Sequence, residues 1–337
     1  MGGPVTRGLT VVEEHFADAA VIAAAARWRT GPAFRTTPEL EDTGSGRLAY
    51  MDANGIERQV LSYPPTLLRG LPAERTVALH RLANDALAER VARRPDRFSG
   101  FAALPMARPE EAARELERCV RDLGLCGAML YGTEDGAAAY DAPACRAVFA
   151  AAEGLGVPIS LHPAPLPEVV QAQYFRSAAL SPAVNAKLAG PGFGWHAEAG
   201  LMTIRLILSG LFRDHPGLTV LSGHWGELVP AFLDRLDRVF PVEVTGLPET
   251  VSAYYRKHVW LTPGGILSPV QLDLCRPVVG AGHLVYALDW PYIKADGAGA
   301  FLDRLPPDER EAIAWRSVDA LLGLRDDATT EKRSDRT

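Results

Sequence analysis

Cysteine is scarce in this chain: four of 337 residues (Cys119, Cys126, Cys145 and Cys275), with no Cys-x-x-Cys pair among them. That excludes a disulfide-stapled scaffold and a thiolate zinc site, and makes a reducing cytoplasm the expected compartment. Long hydrophobic runs are lacking too. The longest, such as Ala19 to Ala26, falls far short of the roughly 20 residues a membrane-spanning helix needs, and no signal-peptide pattern is present, so no membrane segment is predicted. Nor is there a surplus of positive charge. With 35 Lys and Arg against 41 Asp and Glu, a formal net charge of -6 and no basic cluster, nucleic acid is excluded as a partner and a small ligand is expected.

What is present is the make-up of a folded α/β protein: 47% hydrophobic and 23% charged residues, at a length suited to one large domain. Short β-branched or apolar runs alternate with helix-length segments rich in Ala, Leu, Glu and Arg. Eight runs read as strands: Leu9 to His15, Arg58 to Tyr63, Phe98 to Leu104, Ala128 to Gly132, Val157 to His162, Leu218 to His224, His258 to Thr262 and Leu284 to Asp289. Helices are predicted over Glu74 to Ala92, Pro109 to Leu123, Ala142 to Leu155, Ala197 to Phe212, Glu227 to Val239 and Pro307 to Leu322. Pro109 and Pro307, each followed by acidic residues, are N-terminal helix signals, because the first turn has no use for the missing N–H and its dipole favours carboxylates.

Eight strands with crossover helices close most economically as a distorted (β/α)8 TIM barrel, which typically takes about 250 residues. The surplus is assigned to loop insertions after strand 1 (Trp28 to Gly44) and strand 5 (Pro165 to Trp195), both candidate lids over the face that carries the site. Residues 1–324 are read as a single barrel domain, and the charged stretch 325–337 (RDDATTEKRSDRT) as a disordered tail.

The informative pattern is where His and acidic residues fall. Strand 1 ends in Glu13-Glu14-His15, and the period of two sends Glu13 and His15 to one side and Glu14 to the other. Strand 5 ends in His162, strand 6 in Ser222-Gly223-His224-Trp225-Gly226-Glu227 and strand 8 in Asp289-Trp290-Pro291. All reach one barrel mouth. Two imidazoles (His15, His162) with two carboxylates (Glu13, Asp289) suit a single Zn²⁺ or Mn²⁺ ion. His196, in the approach Gly192-Phe193-Gly194-Trp195-His196, is a further site candidate, while His80, His215, His258 and His283 read as structural or solvated.

Together these motifs resemble the amidohydrolase superfamily, in its amidohydrolase-related branch of aminocarboxymuconate-semialdehyde decarboxylase-like enzymes, and most closely the γ-resorcylate and 2,3-dihydroxybenzoate decarboxylases. The resemblance runs through Glu13-Glu14-His15-Phe16, Met51-Asp52-Ala53-Asn54-Gly55-Ile56, Arg94-Pro95-Asp96-Arg97-Phe98, Leu206-Ile207-Leu208-Ser209-Gly210, the Ser222 to Glu227 segment and Asp289-Trp290-Pro291-Tyr292. It implies Glu13, His15, His162 and Asp289 as metal ligands, His224 and Glu227 as a catalytic pair, and Arg235 as a substrate contact; Tyr131, which stands where the aryl decarboxylases tend to have Asn, and His196 are further substrate-binding candidates. Strand 4 reads Ala128-Met129-Leu130-Tyr131-Gly132 and ends without the lysine that binuclear members carry, so one ion is expected.

The expected reaction is non-oxidative decarboxylation of an aromatic, or similarly enolisable, acid with a hydroxyl ortho to its carboxylate. The chain shows no fingerprint for an organic electron sink. Protonating the ring carbon first, with Asp289 as donor, avoids an unstabilised carbanion. The alternative is a hydrolase or hydratase in which metal-activated water attacks a small cyclic or unsaturated acid. A homodimer or homotetramer is the expected assembly.

Overall fold

Alternating inward and outward side chains build the barrel. In the computed structural model, which describes residues 7–29, 33–132, 138–294 and 297–324, the strands are β1 (Leu9–His15), β2 (Ile56–Ser62), β3 (Phe98–Gly100, resuming as Ala102–Ala103), β4 (Ala128–Tyr131), β5 (Ile159–His162), β6 (Val220–Ser222), β7 (Val259–Leu261) and β8 (Tyr286–Ala287). The tail 325–337 lies outside the described residues. All pairings are parallel. β3 changes partner at Phe101: its first segment pairs with β2 and its second with β4. Closure comes from β8, which pairs with β1 through Val11↔Tyr286 and Val12↔Ala287, while Leu261 of β7 bridges Leu284. A closed ring leaves no unpaired strand edge.

Two apolar clusters follow from the alternation. Val12, Val60, Phe101, Met129, Leu221 and Ala287 fill the lumen, whereas their strand neighbours Val11, Leu61, Leu130 and Val220 join the layer between strands and outer helices. The lower end of the lumen is plugged by Val318 and Leu322 from the last helix, Ser317–Leu322. Asp319 pins that plug. It accepts a hydrogen bond from the Thr10 hydroxyl at 3.0 Å and pairs with Arg7 at 3.0 Å.

Predicted helices are recovered with shifted ends, among them Ala73–Arg93, Pro109–Arg121 and Arg146–Leu155. Val251–His258 and Pro269–Val279 were not predicted, because the first is only eight residues long with the weak helix formers Tyr254 and Tyr255 at its centre and the second contains Pro277. The insertion after β5 is partly ordered as a wide turn, Gln171–Phe175, and a helix, Pro182–Ala189. Among the described residues no helix is long and apolar enough to cross a membrane.

Candidate metal and acid–base site

The end of β1 departs from simple alternation. Val11 pairs with Gln59 and Glu14 with Leu61, so β1 spends three steps where β2 spends two, and Glu13 takes up the extra residue at φ 62°. This bulge re-aims three consecutive polar side chains, all fully buried, in separate directions. Glu14 turns to the backbone, where its carboxylate accepts from the Leu288 N–H at 2.9 Å and from Gln59 Nε2 at 3.3 Å. Glu13 accepts from the Thr262 hydroxyl, and its Oε1 lies where a side chain on Gly223 would clash, with no hydrogen-bond partner among the described residues. Burial raises the Glu13 carboxyl above its ordinary value.

His15 reaches across the mouth to His162. Their Nε2 atoms face one another at 3.3 Å, and His15 Nε2 lies 3.1 Å from Asp289 Oδ1. Each ring has its other nitrogen on a backbone carbonyl: His15 Nδ1 to Tyr63 O at 3.2 Å and His162 Nδ1 to Pro163 O at 2.7 Å. A carbonyl only accepts, so those contacts place the ring hydrogens on Nδ1 and leave two lone pairs pointing together. Burial, with His15 and His224 close by, holds the His162 imidazolium well below its usual range, which keeps the ring neutral. Two opposed lone pairs and a carboxylate oxygen, Asp289 Oδ1, which has no hydrogen bond among the described residues, make a donor set that fits one divalent cation. Glu13 is not part of the tight group formed by His15, His162 and Asp289, whose ligand atoms all lie within 4.8 Å of one another.

Beyond β6 the expected helix from Glu227 does not form. The chain instead runs through five consecutive residues of positive φ, His224 (44°), Trp225 (61°), Gly226 (76°), Glu227 (53°) and Leu228 (70°), before a tight turn at Val229–Phe232 and a helix at Leu233–Val239. Sequence periodicity cannot reveal a left-handed turn, since its residue spacing mimics that of an ordinary helix start. The Glu227 carboxylate nevertheless reaches His224 by this route, accepting from its Nδ1 at 2.8 Å. It also accepts from His196 Nδ1 at 2.7 Å. Burial lowers the His224 imidazolium, but Glu227, with Glu13 and Asp289 behind it, outweighs that and pushes it up to about 10.

The other predicted contacts fall differently. The Tyr131 hydroxyl donates to Tyr63 O, the carbonyl that also faces His15 Nδ1, so it braces a ligand from behind. His196 has both ring nitrogens engaged, Nδ1 by Glu227 and Nε2 facing Pro191 O at 3.1 Å. Arg235 is exposed on the helix Leu233–Val239, and among the described residues no hydrogen bond or ion pair joins it to the mouth.

Two contributors escaped sequence reasoning. Gly264, at φ 50°, abuts the His224 ring so closely that a Cβ there would lie 2.6 Å from its Cδ2. The run Thr262-Pro263-Gly264-Gly265 at the end of β7 was a legible signal for it, as paired glycines at a strand end permit close approach. Arg47, fully buried, donates to His15 O at 2.6 Å and lies over the Trp290 ring at 4.0 Å, tying the ends of β1 and β8 together. Nothing local in the sequence marks it.

A family model described as amidohydrolase matches residues 7–324. The chain belongs to the amidohydrolase family. This amidohydrolase is 33% identical over 323 residues to the γ-resorcylate decarboxylase of Rhodococcus jostii (strain RHA1), covering 91% of this chain and 95% of the relative. Its fold superposes on 2,6-dihydroxybenzoate decarboxylase from Rhizobium complexed with 2,6-dihydroxybenzoate, with TM-score 0.79, 30% identity and coverage of 94% and 100%. A dihydroxybenzoic acid decarboxylase from Polaromonas sp. JS666, with bound manganese and the inhibitor 2-nitroresorcinol, matches with TM-score 0.80, 30% identity and coverage of 95% and 98%. The likeness extends over nearly the full length of each, so the closed parallel barrel described above is a TIM barrel of the amidohydrolase type.

Proposed function

We infer that this amidohydrolase is a metal-dependent, non-oxidative decarboxylase of an aromatic acid with a hydroxyl ortho to its carboxylate. The observation that carries the reading is the meeting of His15, His162 and Asp289 beside a buried His224–Glu227 pair, in a chain whose relatives are hydroxybenzoate decarboxylases. His15, His162 and Asp289 would hold the cation, with Glu13 beside them as the fourth candidate donor. A divalent ion there, Mn²⁺ or Zn²⁺, supplies Lewis-acid charge and a template for the ortho-hydroxy acid.

The protein's own groups move the protons. His224, tied at Nδ1 to Glu227 and held by it as the imidazolium, presents its Nε2–H to the substrate's ortho oxygen and polarises it. Asp289, once it has taken up a proton from solvent, would deliver it to the ring carbon bearing the carboxylate. The C–C bonding electrons then return to the ring as CO₂ departs. Arg235 shares one exposed face with Phe232 and Val239, at spacings of three and four residues, and the insertion after β5 exposes Val169, Tyr174 and Phe193. These apolar surfaces suit a second copy of this chain, as a homodimer or homotetramer in which Arg235 serves a neighbouring site. The four buried free cysteines accord with a cytoplasmic setting.

The test is isotopic. In D₂O the product should carry one deuterium at the carbon that lost CO₂. Entry of labelled water oxygen without CO₂ release would replace this reading with a hydrolase or hydratase. Sedimentation velocity tests the assembly, and a monomer with full activity would remove the shared role of Arg235.

A further inference from the structure

The Glu227 carboxylate is held at both ends. Oε1 accepts from His224 Nδ1 at 2.8 Å, and Oε2 accepts from His196 Nδ1 at 2.7 Å, with the two imidazoles edge to face at 4.6 Å between centroids. His196 lies in the first turn of the helix Gly194–Leu208. Gly200, four residues on and therefore on the same helix face, packs so tightly on Glu227 that a Cβ there would collide with the Glu227 carbonyl oxygen. One helix face thus grips Glu227 by its side chain and its backbone. On its far side His196 Nε2 faces Pro191 O at 3.1 Å, in the last part of the insertion after β5.

A carboxylate hydrogen-bonded at one oxygen is free to rotate about its terminal bond, and Glu227 sits in a left-handed turn with φ 53° that does nothing to fix that rotation. We propose that His196 is a positioning residue: by clamping Oε2 it sets the plane of the Glu227 carboxylate and so aims the His224 ring at the substrate, while its Nε2 ties that geometry to the insertion. It acts through Glu227 and does not touch the reacting atoms. The inference rests on the reading of His224 and Glu227 as the acid–base pair.

The two arms of His196 are separable, because the amide nitrogen of Asn stands where Nδ1 of His stands and that of Gln where Nε2 stands. Steady-state kinetics on the metal-loaded enzyme with 2,6-dihydroxybenzoate, alongside metal content and thermal melting, would compare His196→Ala, His196→Asn and His196→Gln. His196→Ala should lower kcat by about 10- to 100-fold with KM and metal content unchanged, the size expected from a misaligned catalytic group. His196→Asn should restore most of that loss and His196→Gln should not. In the Glu227→Gln background, His196→Ala should cost less than threefold further, because the group it acts through is already altered.

Equal losses in all three variants, rescue by Gln in place of Asn, or the full loss persisting on Glu227→Gln would each overturn the proposal. If His196→Ala does not fold, the Asn and Gln pair decides alone. If Glu227→Gln lowers kcat while the His196 variants do not, only this inference fails. If Glu227→Gln and His224→Asn both turn over at the wild-type rate, the acid–base reading falls and takes the inference with it.

Discussion

The two ends of the barrel are built on opposite rules. At the lower end regular strands close over Val12, Val318 and Leu322, and the buried polar pair Thr10 and Asp319 is hydrogen-bonded. At the upper end the backbone is strained and polar atoms are left without hydrogen bonds. Six non-glycine residues among those described have positive φ, and they are Glu13, His224, Trp225, Glu227, Leu228 and Asp289. Glu13 sits in the bulge near the end of β1, and the others follow β6 or β8 at the mouth. Such conformations cost of order 1–3 kcal/mol each and persist only where the surroundings enforce them. The mouth also holds Glu13 Oε1 and Asp289 Oδ1 without hydrogen bonds among the described residues, an arrangement a folded chain tolerates when something else completes it. Stability is therefore concentrated below and chemistry above, so changes at the two ends should have separable effects.

The largest effect is expected from removing the ion's donors. A His15→Ala/His162→Ala double variant should lose the metal, read by elemental analysis, and at least about 10³-fold in kcat/KM, since several kcal/mol of charge stabilisation go with the ion. Full occupancy in that variant would break the comparison at its strongest point. His224→Asn comes next. It should keep metal and melting temperature but lower kcat by roughly 10²-fold or more. Gly264→Ala should act in the same sense by displacing the His224 ring, with a loss of about 10-fold or more in kcat and little change in metal content.

Two smaller effects belong to stability alone. His80 is buried on the helix Ala73–Arg93, and desolvation, partly offset by its contact with the Thr76 carbonyl at 2.8 Å and by Glu115, lowers it to about 4. Its unfolded-state value is about 6.5. Between those values the unfolded chain binds the extra proton, so stability should fall as pH drops from 6.5 toward 4, by up to about 3 kcal/mol. Urea midpoints across that range should decline less in His80→Gln, and an identical decline would remove His80 as the cause. At the barrel floor Leu322→Ala should cost about 2 kcal/mol and leave kcat within twofold of wild type, which a paired melt and rate assay would check. A large kcat loss there would show that the ends are coupled after all.

Much of this could be read from residues in order. Composition and the β-then-α rhythm determined the barrel class, because alternation with period two and helices between strands have few other ways to bury their apolar faces. The strand-end positions of His15, His162, His224 and Asp289 were legible for the same reason, and the resemblance added their roles. What the rhythm could not show was direction. Glu13, Glu14 and His15 part company only because β1 gains one residue against β2, and a bulge depends on the partner strand. Glu227 reaches His224 by a left-handed turn whose geometry exists only where Thr262 O accepts the Trp225 N–H at 2.6 Å and Gly264 leaves room for the imidazole. Arg47 reaches the His15 carbonyl across 32 positions of chain, and His196 reaches the Glu227 carboxylate across 31. Sequence determined which chemical groups stand at the mouth; tertiary packing decided which oxygen faces which nitrogen, because hydrogen-bond geometry is settled within a few tenths of an ångström by contacts that no local pattern encodes.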